Sequence, residues 1–284
     1  MIKSVNKEGE TGLCLLLIMV EIDLSIGSSM AMAGIIVALS MKNWGLSIPV
    51  SIVLALVTTT FIGLVNGFLV VKLGINFLIA TLAMMGIVRG LVVVLAEGGG
   101  VAFLPSGFNA ISQSKLLGLQ APIWYMFVIL IILGILLAKT KFFRQMYYIG
   151  GNLKAARLIG IKTDQVRIIA YMISGALAGL AGVLNASRFG SASSTTGIGA
   201  EMIVISAAVW GGCSLSGGHG NIFGVFLGVI FINLLSNVLV MLNVSTYWYQ
   251  PVNGVVLIGA LAFDILMNKL KIEKARKEIM QRSA

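Results

Sequence analysis

The stretch KTKFFRQMYYIGGNLKAARLIGIKTDQVR, residues 139–167, determines the predicted orientation of this chain. It lies between two strongly apolar segments. It carries seven basic residues and one acid, in a chain with 20 lysines and arginines in all. Six further basic residues follow Asn268. Lysine and arginine gathered in short segments beside apolar spans mark the cytoplasmic face of a membrane protein. We therefore predict that residues 139–167 form a cytoplasmic loop and residues 269–284 a basic cytoplasmic tail.

The composition excludes an ordinary soluble domain. The chain has 284 residues, of which 58% are hydrophobic and 11% are charged, whereas about a quarter of a soluble domain is charged. Segments of about ten alternating apolar and polar residues, typical of a membrane β-barrel, are absent from the sequence. We predict one all-α domain over 1–284, a polytopic transmembrane helical bundle with a polar N-terminus at 1–11. Because most of the net charge of +10 is gathered in two segments, we expect no binding of nucleic acid.

Nine apolar segments organise the chain: 12–22, 25–41, 47–72, 76–96, 121–138, 168–188, 200–215, 218–242 and 249–268. Counting crossings from the cytoplasmic loop places residues 97–120 outside and the C-terminus inside. The same count places residues 1–11 outside, which a sequence without a signal peptide does not explain. Either 12–22 is too short to cross the membrane or a further helix precedes it, and we favour a missing first transmembrane helix.

The chain has two halves with similar layouts. Segments 12–22, 25–41 and 47–72 run as a short helix, a Gly/Ser break and two long spans, and the last three segments repeat that order around 211–220. Short or glycine-interrupted apolar segments at corresponding positions point to the path of a transporter. We therefore predict two pseudo-repeated halves with broken helices.

Small residues recur four apart within the apolar segments, as Gly63 and Gly67, Gly86 and Gly90, Gly175 and Gly179, and Gly220, Gly224 and Gly228. This spacing lets helix backbones approach closely inside a membrane. We expect these glycines to pack helices within the chain rather than to form a dedicated dimer interface.

The stretch EIDLSIGSS, residues 21–29, places two acids and three serines among apolar residues. Charge near a membrane interior is costly and therefore needs a reason. Asp23 and Ser25 either cap the helix that begins near Gly27 or line a water-filled path at a helix break. Asn66, Asn76, Thr81 and Arg89 are further polar residues in or beside apolar runs, suited to hydrogen bonds between helices or to contact with a polar solute.

Catalytic chemistry has no candidate residues in this sequence. A P-loop needs a Gly-Lys pair, and no such pair occurs in the chain. No Ser–His–Asp set, carboxylate dyad or metal-ligand spacing appears either. We predict that the chain is not an enzyme and binds no metal or cofactor, that Cys14 and Cys213 are packing residues, and that His219 lies on the surface.

The central loop contains a short element of its own. Gly150–Asn152 predicts a break, Leu153–Ile161 a short amphipathic helix, and Thr163–Asp164 a turn. The basic residues favour a helix that rests on anionic lipid, and the same helix is suited to docking into a cytoplasmic partner. Composition leaves both interpretations open.

Four blocks of the sequence resemble a known family. They are IDLSIGS at 22–28, FLIATLAMMGIVRG at 77–90, IGGNLKAARLIGI at 149–161 and GGCSLSGGHGNIFG at 211–224. In this order and spacing they resemble the permease subunits of ribose-type ABC importers, in the branched-chain and ribose permease superfamily. The resemblance implies an importer of ribose or another simple sugar in the bacterial cytoplasmic membrane. It also implies three partners: a cytoplasmic ATPase that binds the ATP, an extracytoplasmic solute-binding protein, and a second permease copy or homologue.

The resemblance also implies roles for individual residues. Those expected to couple to the ATPase are Gly151, Asn152, Ala155, Ala156, Arg157, Gly160 and Ile161. The broken-helix layout and the resemblance together predict that the translocation path is lined by Asp23, Ser25, Gly27, Ser28, Asn66, Asn76, Thr81, Arg89, Gly211, Gly212, Ser214 and Ser216. The alternative functions are a truncated, non-transporting membrane scaffold and a proton-driven secondary transporter, for which the membrane segments hold few titratable groups.

Overall fold

The computed structural model describes residues 7–214, 217–245, 248, 251–259, 261–262 and 266. Over these residues the chain is a helical bundle with two short two-stranded sheets, which confirms the predicted fold class. Ser216, the basic tail and the first six residues of the predicted polar N-terminus lie outside the described residues.

The bundle combines long membrane-crossing helices with short ones. The helices are α1 (Lys7–Ile18), α2 (Ile26–Lys42), α3 (Ile48–Val71), α4 (Phe77–Leu95), α5 (Ser106–Gln113), α6 (Ala121–Lys139), α7 (Lys141–Gly151), α8 (Leu153–Leu158), α9 (Thr163–Phe189), α10 (Ala200–Trp210) and α11 (Ile222–Met241). Residues 251–259 are also helical. Within the described residues, α3, α4, α6, α9 and α11 are long and apolar enough to cross a membrane, and α2 and α10 are shorter apolar helices.

The first helix differs from its predicted bounds. It begins at Lys7, inside the stretch predicted to be a polar N-terminus, and ends at Ile18 rather than at residue 22. Its 12 described residues span about 18 Å at 1.5 Å per residue, less than the ~30 Å of a hydrocarbon core. The described helix is thus too short to cross a membrane, and a further helix ahead of it stays a prediction.

Each end of the bundle has its own contacts between neighbouring elements. Strand β1 (Gly100–Ala102), just after α4, pairs antiparallel with β4 (Ser191–Ser193), just after α9. Strands β2 (Lys115–Leu116) and β3 (Leu119–Gln120) form a hairpin at the same end. At the other end, Lys72 Nζ lies 3.1 Å from Asp164 Oδ2, which joins the end of α3 to the start of α9. Residues 97–120 and the central loop therefore lie at opposite ends, as the crossing count predicted.

The central loop is mostly helical. Asn152 interrupts it between α7 and α8, where its Oδ1 accepts a hydrogen bond from the Ala155 amide at 3.0 Å. The predicted helix 153–161 ends early, at Leu158, because Gly160 takes a left-handed conformation with φ +83°. The predicted turn at Thr163–Asp164 is wrong, since these residues begin α9.

Glycines bring helix backbones into direct contact, as predicted. A methyl group at Gly63 would overlap the Tyr171 carbonyl oxygen, and one at Gly175 would overlap the Thr59 carbonyl oxygen, so α3 and α9 leave no room for side chains. Gly86 and Gly90 on α4 are the exception, because a methyl group there would meet open space. For this pair the prediction of packing within the chain is wrong.

Candidate translocation and coupling site

Three irregular segments interrupt the helices of the bundle. We call residues 19–25 between α1 and α2 the first break and residues 194–199 before α10 the second break. The third break is made up of the described residues 211–214 and 217–221 between α10 and α11. Irregular backbone at membrane depth is tolerated only where it is buried in protein or lines a water-filled cavity. We therefore assign the predicted path residues to the breaks that they contact.

A buried polar cluster holds the first break. Asp23 Oδ1 accepts hydrogen bonds from the Ser25 amide at 2.9 Å and from the Ser25 hydroxyl at 2.6 Å. Asn66 on α3 donates from Nδ2 to Ser25 Oγ at 2.9 Å and to Asp23 Oδ1 at 3.3 Å. Ser25, the residue before α2, makes no side-chain cap. The Asp23 carboxylate instead closes a turn on its own backbone two residues ahead, as Asx residues often do.

Two more predicted residues join this cluster. The Thr81 hydroxyl on α4 is buried and lies 2.7 Å from the Phe77 carbonyl oxygen and 3.4 Å from the Ile22 carbonyl oxygen. The Ser28 hydroxyl donates to the Ser25 carbonyl at 2.8 Å. Five of the predicted path residues are thus brought together around the first break by α2, α3 and α4.

The polar cluster is enclosed by the bundle. Its side chains are buried, namely those of Asp23, Ser25, Ser28, Asn66 and Thr81. Two apolar grooves lie elsewhere, one of about 390 Å³ between α6 and α11 and one of about 340 Å³ along α3. Neither groove is lined by a predicted path residue. The structure therefore shows the cluster in a closed arrangement.

Sequence reasoning missed a buried ion pair beside this cluster. Glu21 of the first break accepts a hydrogen bond from the Arg167 guanidinium of α9, and both side chains are largely buried. The sequence predicts Arg167 in the cytoplasmic loop, whereas it lies in α9 with a largely buried side chain. An acid in an apolar stretch indicates that a partner is needed, but the partner of Glu21 lies 146 residues away in sequence.

Arg89 and Gly27 hold the second break. The Arg89 guanidinium donates to the carbonyl oxygens of Ser194 at 2.7 Å and Thr196 at 2.8 Å. A methyl group at Gly27 would overlap the Gly197 carbonyl oxygen, so the second break lies directly against the start of α2. Arg89 thus satisfies backbone carbonyls that a helix would otherwise satisfy internally.

The third break contains the predicted glycines. Gly211 packs directly on the start of α11, and Gly212 takes a left-handed conformation with φ +83°. The Ser214 amide donates to the carbonyl of His219, whose side chain is exposed as predicted. Cys213 lies with its sulfur 2.8 Å from that of Cys14 on α1, so the two predicted packing residues contact each other.

Asn76 is separated from the other predicted path residues. It is exposed at the start of α4, where its Oδ1 accepts a hydrogen bond from the Leu78 amide at 2.9 Å. This is the geometry of a helix N-cap at the end of the bundle. In this structure Asn76 begins a helix and does not reach the breaks.

The predicted coupling residues lie around α8. Gly151, Asn152, Ala155 and Gly160 are exposed, whereas Ala156 is buried and Ile161 packs partly against the core. Arg157 donates from Nε to the Thr163 hydroxyl at 3.1 Å and lies 3.2 Å from Asp164 Oδ1. Any role of Ala156 in coupling therefore runs through packing, not through contact with a partner.

Two exposed apolar side chains at the end of α8 were not among the predicted coupling residues. Leu158 is 88% exposed and Ile159 is 69% exposed. Leu158 is the last residue of α8 and Ile159 follows it, and both lie outside the five long apolar helices. We call this pair the α8 tip.

Comparison with known proteins identifies the family. A model of the permease component of branched-chain amino acid transport systems matches residues 11–261. The chain belongs to this permease family. The resemblance carried by the four sequence blocks is thus confirmed, and the subunits of this family are transport components rather than catalysts.

The permease is similar to subunits named for the import of two solutes. It is 38% identical over 244 residues to the autoinducer 2 import system permease protein LsrC of Salmonella typhimurium, which covers 86% of this chain and 70% of that protein. It is 40% identical over 251 residues to the L-arabinose transport system permease protein AraH of Escherichia coli, which covers 88% of this chain and 76% of that protein. No solved structure matches the chain.

Proposed function

We propose that this permease is the membrane subunit of an ATP-driven importer for a small, sugar-like solute. The observation that carries the proposal is the similarity to sugar-type import permeases along 86–88% of the chain. Arabinose, named in one of these relatives, is a neutral pentose. We therefore infer a neutral, hydroxyl-rich solute of similar size, of which ribose is one candidate.

The breaks provide a route for such a solute. Carboxylate, amide and hydroxyl side chains exchange hydrogen bonds with sugar hydroxyls, and Asp23, Asn66 and Ser25 carry these groups at the first break. Because the cluster is enclosed in this structure, passage requires the two halves to move relative to each other. We infer alternating access, in which rocking of the halves opens the breaks to one side and then to the other.

The α8 tip is the proposed docking element for a cytoplasmic ATPase. Leu158 and Ile159 expose large apolar side chains on a segment outside the membrane spans, and a partner surface that covers them would remove that area from water. Arg157 and Lys72 both pair with Asp164. These ion pairs link α8 to α9 and to the end of α3, so displacement of α8 is passed to the bundle.

The remaining partners follow from this orientation. With α8 in the cytoplasm, the end formed by residues 97–120 faces the extracytoplasmic solute-binding protein. We place the permease in the bacterial cytoplasmic membrane with its C-terminus inside, paired with a second copy or a homologue.

Uptake of labelled sugars by cells tests the proposal. Cells lacking the permease gene would be compared with cells carrying it on a plasmid, with radiolabelled L-arabinose, ribose, xylose and galactose as probes. We expect the gene to restore uptake of at least one of them. Leu73→Ser, a change in the exposed turn after α3, should leave uptake intact as the control. Equal uptake of all four sugars with and without the gene would contradict the proposed solute class.

A further inference from the structure

Three distant segments meet at the C-terminal end of α1. The Gly218 amide of the third break donates a hydrogen bond to the Ile18 carbonyl at 2.9 Å. Gly150, at the end of α7, lies against both of these residues. We call the contact formed by Ile18, Val20, Gly150, Gly217 and Gly218 the Ile18 junction.

The Ile18 junction has no room for a side chain at Gly150 or Gly217. A methyl group at Gly150 would overlap the Ile18 carbonyl oxygen and lie 2.6 Å from the Gly218 nitrogen. One at Gly217 would overlap the Val20 side chain and lie 2.8 Å from the Gly150 carbonyl oxygen. Most of the contacting atoms belong to backbone, so rotation of a side chain cannot absorb a displacement of one segment against another.

Side-chain contacts on either side support the same junction. Tyr147 of α7 donates from its hydroxyl to the Gly220 carbonyl at 2.9 Å. The sulfurs of Cys14 and Cys213 lie 2.8 Å apart and join α1 to the third break. The junction therefore connects α7, which leads directly into α8, with the first and third breaks.

We propose that the Ile18 junction passes movement of α7 and α8 to the first and third breaks, which makes Gly150 and Gly217 positioning residues for transport. These two breaks lie at corresponding positions in the two halves that the sequence predicts, so we expect a displacement at one contact to reach both halves together. The inference rests on the proposed function, because it explains how an ATPase docked on α8 would move the path.

The first experiment measures ATP hydrolysis by the permease assembled with its ATPase and solute-binding protein, with and without the sugar that the uptake assay identifies. Residues along a coupling route modulate coupling by about 2–30-fold. We expect Gly150→Ala to lower sugar-stimulated hydrolysis by this factor while the complex still assembles and hydrolyses ATP without sugar. Gly217→Ala should act in the same way, and Tyr147→Phe, which adds no atoms, should give a smaller loss.

Matched controls separate the junction from general effects of alanine. Gly134→Ala introduces a methyl group into open space on α6. Gly74→Ala places alanine at φ +70° in open space, in the turn between α3 and α4, and so matches the left-handed conformation of Gly217 at φ +76°. Both control variants should keep sugar stimulation. Equal stimulation in Gly150→Ala, Gly217→Ala and the wild type would overturn the inference.

A second experiment tests the junction without transport. Diamide takes two electrons and two protons from two thiols, forms a disulfide and is itself reduced to a hydrazine. The purified permease should form an intramolecular Cys14–Cys213 disulfide, Cys14→Ser should not, and Gly150→Ala should form less of it than Gly134→Ala. A wild type that forms no disulfide, or an unchanged yield in Gly150→Ala, would contradict the junction. In the first experiment, ATP hydrolysis by the wild-type complex that is not stimulated by sugar would instead contradict the proposed function.

Discussion

Glu21 and Arg167 form a buried ion pair that stabilises the fold. Both side chains are largely buried, and removal of one partner leaves an uncompensated buried charge, which costs about 3–5 kcal/mol. We predict that Arg167→Ala lowers the free energy of unfolding by this amount. The measurement is the thermal denaturation midpoint of the purified permease.

Lys154→Ala is the control for this prediction, because Lys154 is an exposed basic residue on α8. It should leave the midpoint unchanged. A double variant, Glu21→Gln with Arg167→Gln, should recover part of the loss, since no unpaired charge then remains. Equal midpoints for Arg167→Ala and the wild type would show that the pair does not stabilise the fold.

Single residues also show how far the sequence is informative. The polar residues Asp23, Asn66 and Thr81 stand out in apolar runs, and the structure brings them to one cluster. The partner of Glu21 could not be found, because a charge pattern shows that a partner is needed but not where the fold brings it. Asn76 is predicted to line the path because it is a polar residue beside an apolar run and because of the family resemblance, whereas its position just before α4 makes it a helix cap.

Among the helices, the contact between α3 and α9 depends on glycine. Because a methyl group at Gly63 would overlap the Tyr171 carbonyl oxygen, we predict that Gly63→Ala forces the two helices apart. Overpacking of this kind costs about 1–3 kcal/mol, measured as a lower denaturation midpoint of the purified permease. Gly86→Ala on α4 meets open space and should leave the midpoint unchanged or raise it. A midpoint for Gly63→Ala as high as that of Gly86→Ala would contradict the close packing of α3 and α9.

The α8 tip gives a prediction about assembly. We predict that Leu158→Ser combined with Ile159→Ser abolishes co-purification of the ATPase, because the exposed apolar surface that the partner would cover is removed. The denaturation midpoint of the permease alone should not change, since both side chains already face outward. Leu73→Ser is the control, because Leu73 is 59% exposed in the turn between α3 and α4. Retention of the ATPase by the double variant would rule out the tip as the docking element.

Helices whose bounds follow from a long apolar run were predictable from the sequence. Helix ends that depend on a turn were less predictable. The long spans α3, α4, α6 and α11 follow directly from apolar runs of sufficient length. The extra turn at the start of α9 was missed because its first residues, Thr163 and Asp164, are polar and also suit a turn. Periodicity in LKAARLIGI did not show that Ala156 faces inward and Leu158 outward, because the apolar residues of this stretch occupy both buried and exposed positions.

At the scale of the whole molecule, the basic loop correctly indicated which segments share an end of the bundle. The pairing of β1 with β4 at one end and of Lys72 with Asp164 at the other bears out that arrangement. The convergence of Ile18, Gly150 and Gly218 could not be derived from the sequence, because each contact joins segments more than 60 residues apart. The glycine clusters of the sequence indicated that backbone segments approach each other closely at these positions, but not which segments they are.

The most direct test of the account is transport by the complete complex in proteoliposomes, with ATP and the ATPase inside and the sugar-loaded binding protein outside. The account predicts that a labelled pentose accumulates only when ATP is present and that a protonophore does not prevent the accumulation. Accumulation that needs no ATP and collapses with the proton gradient would contradict it.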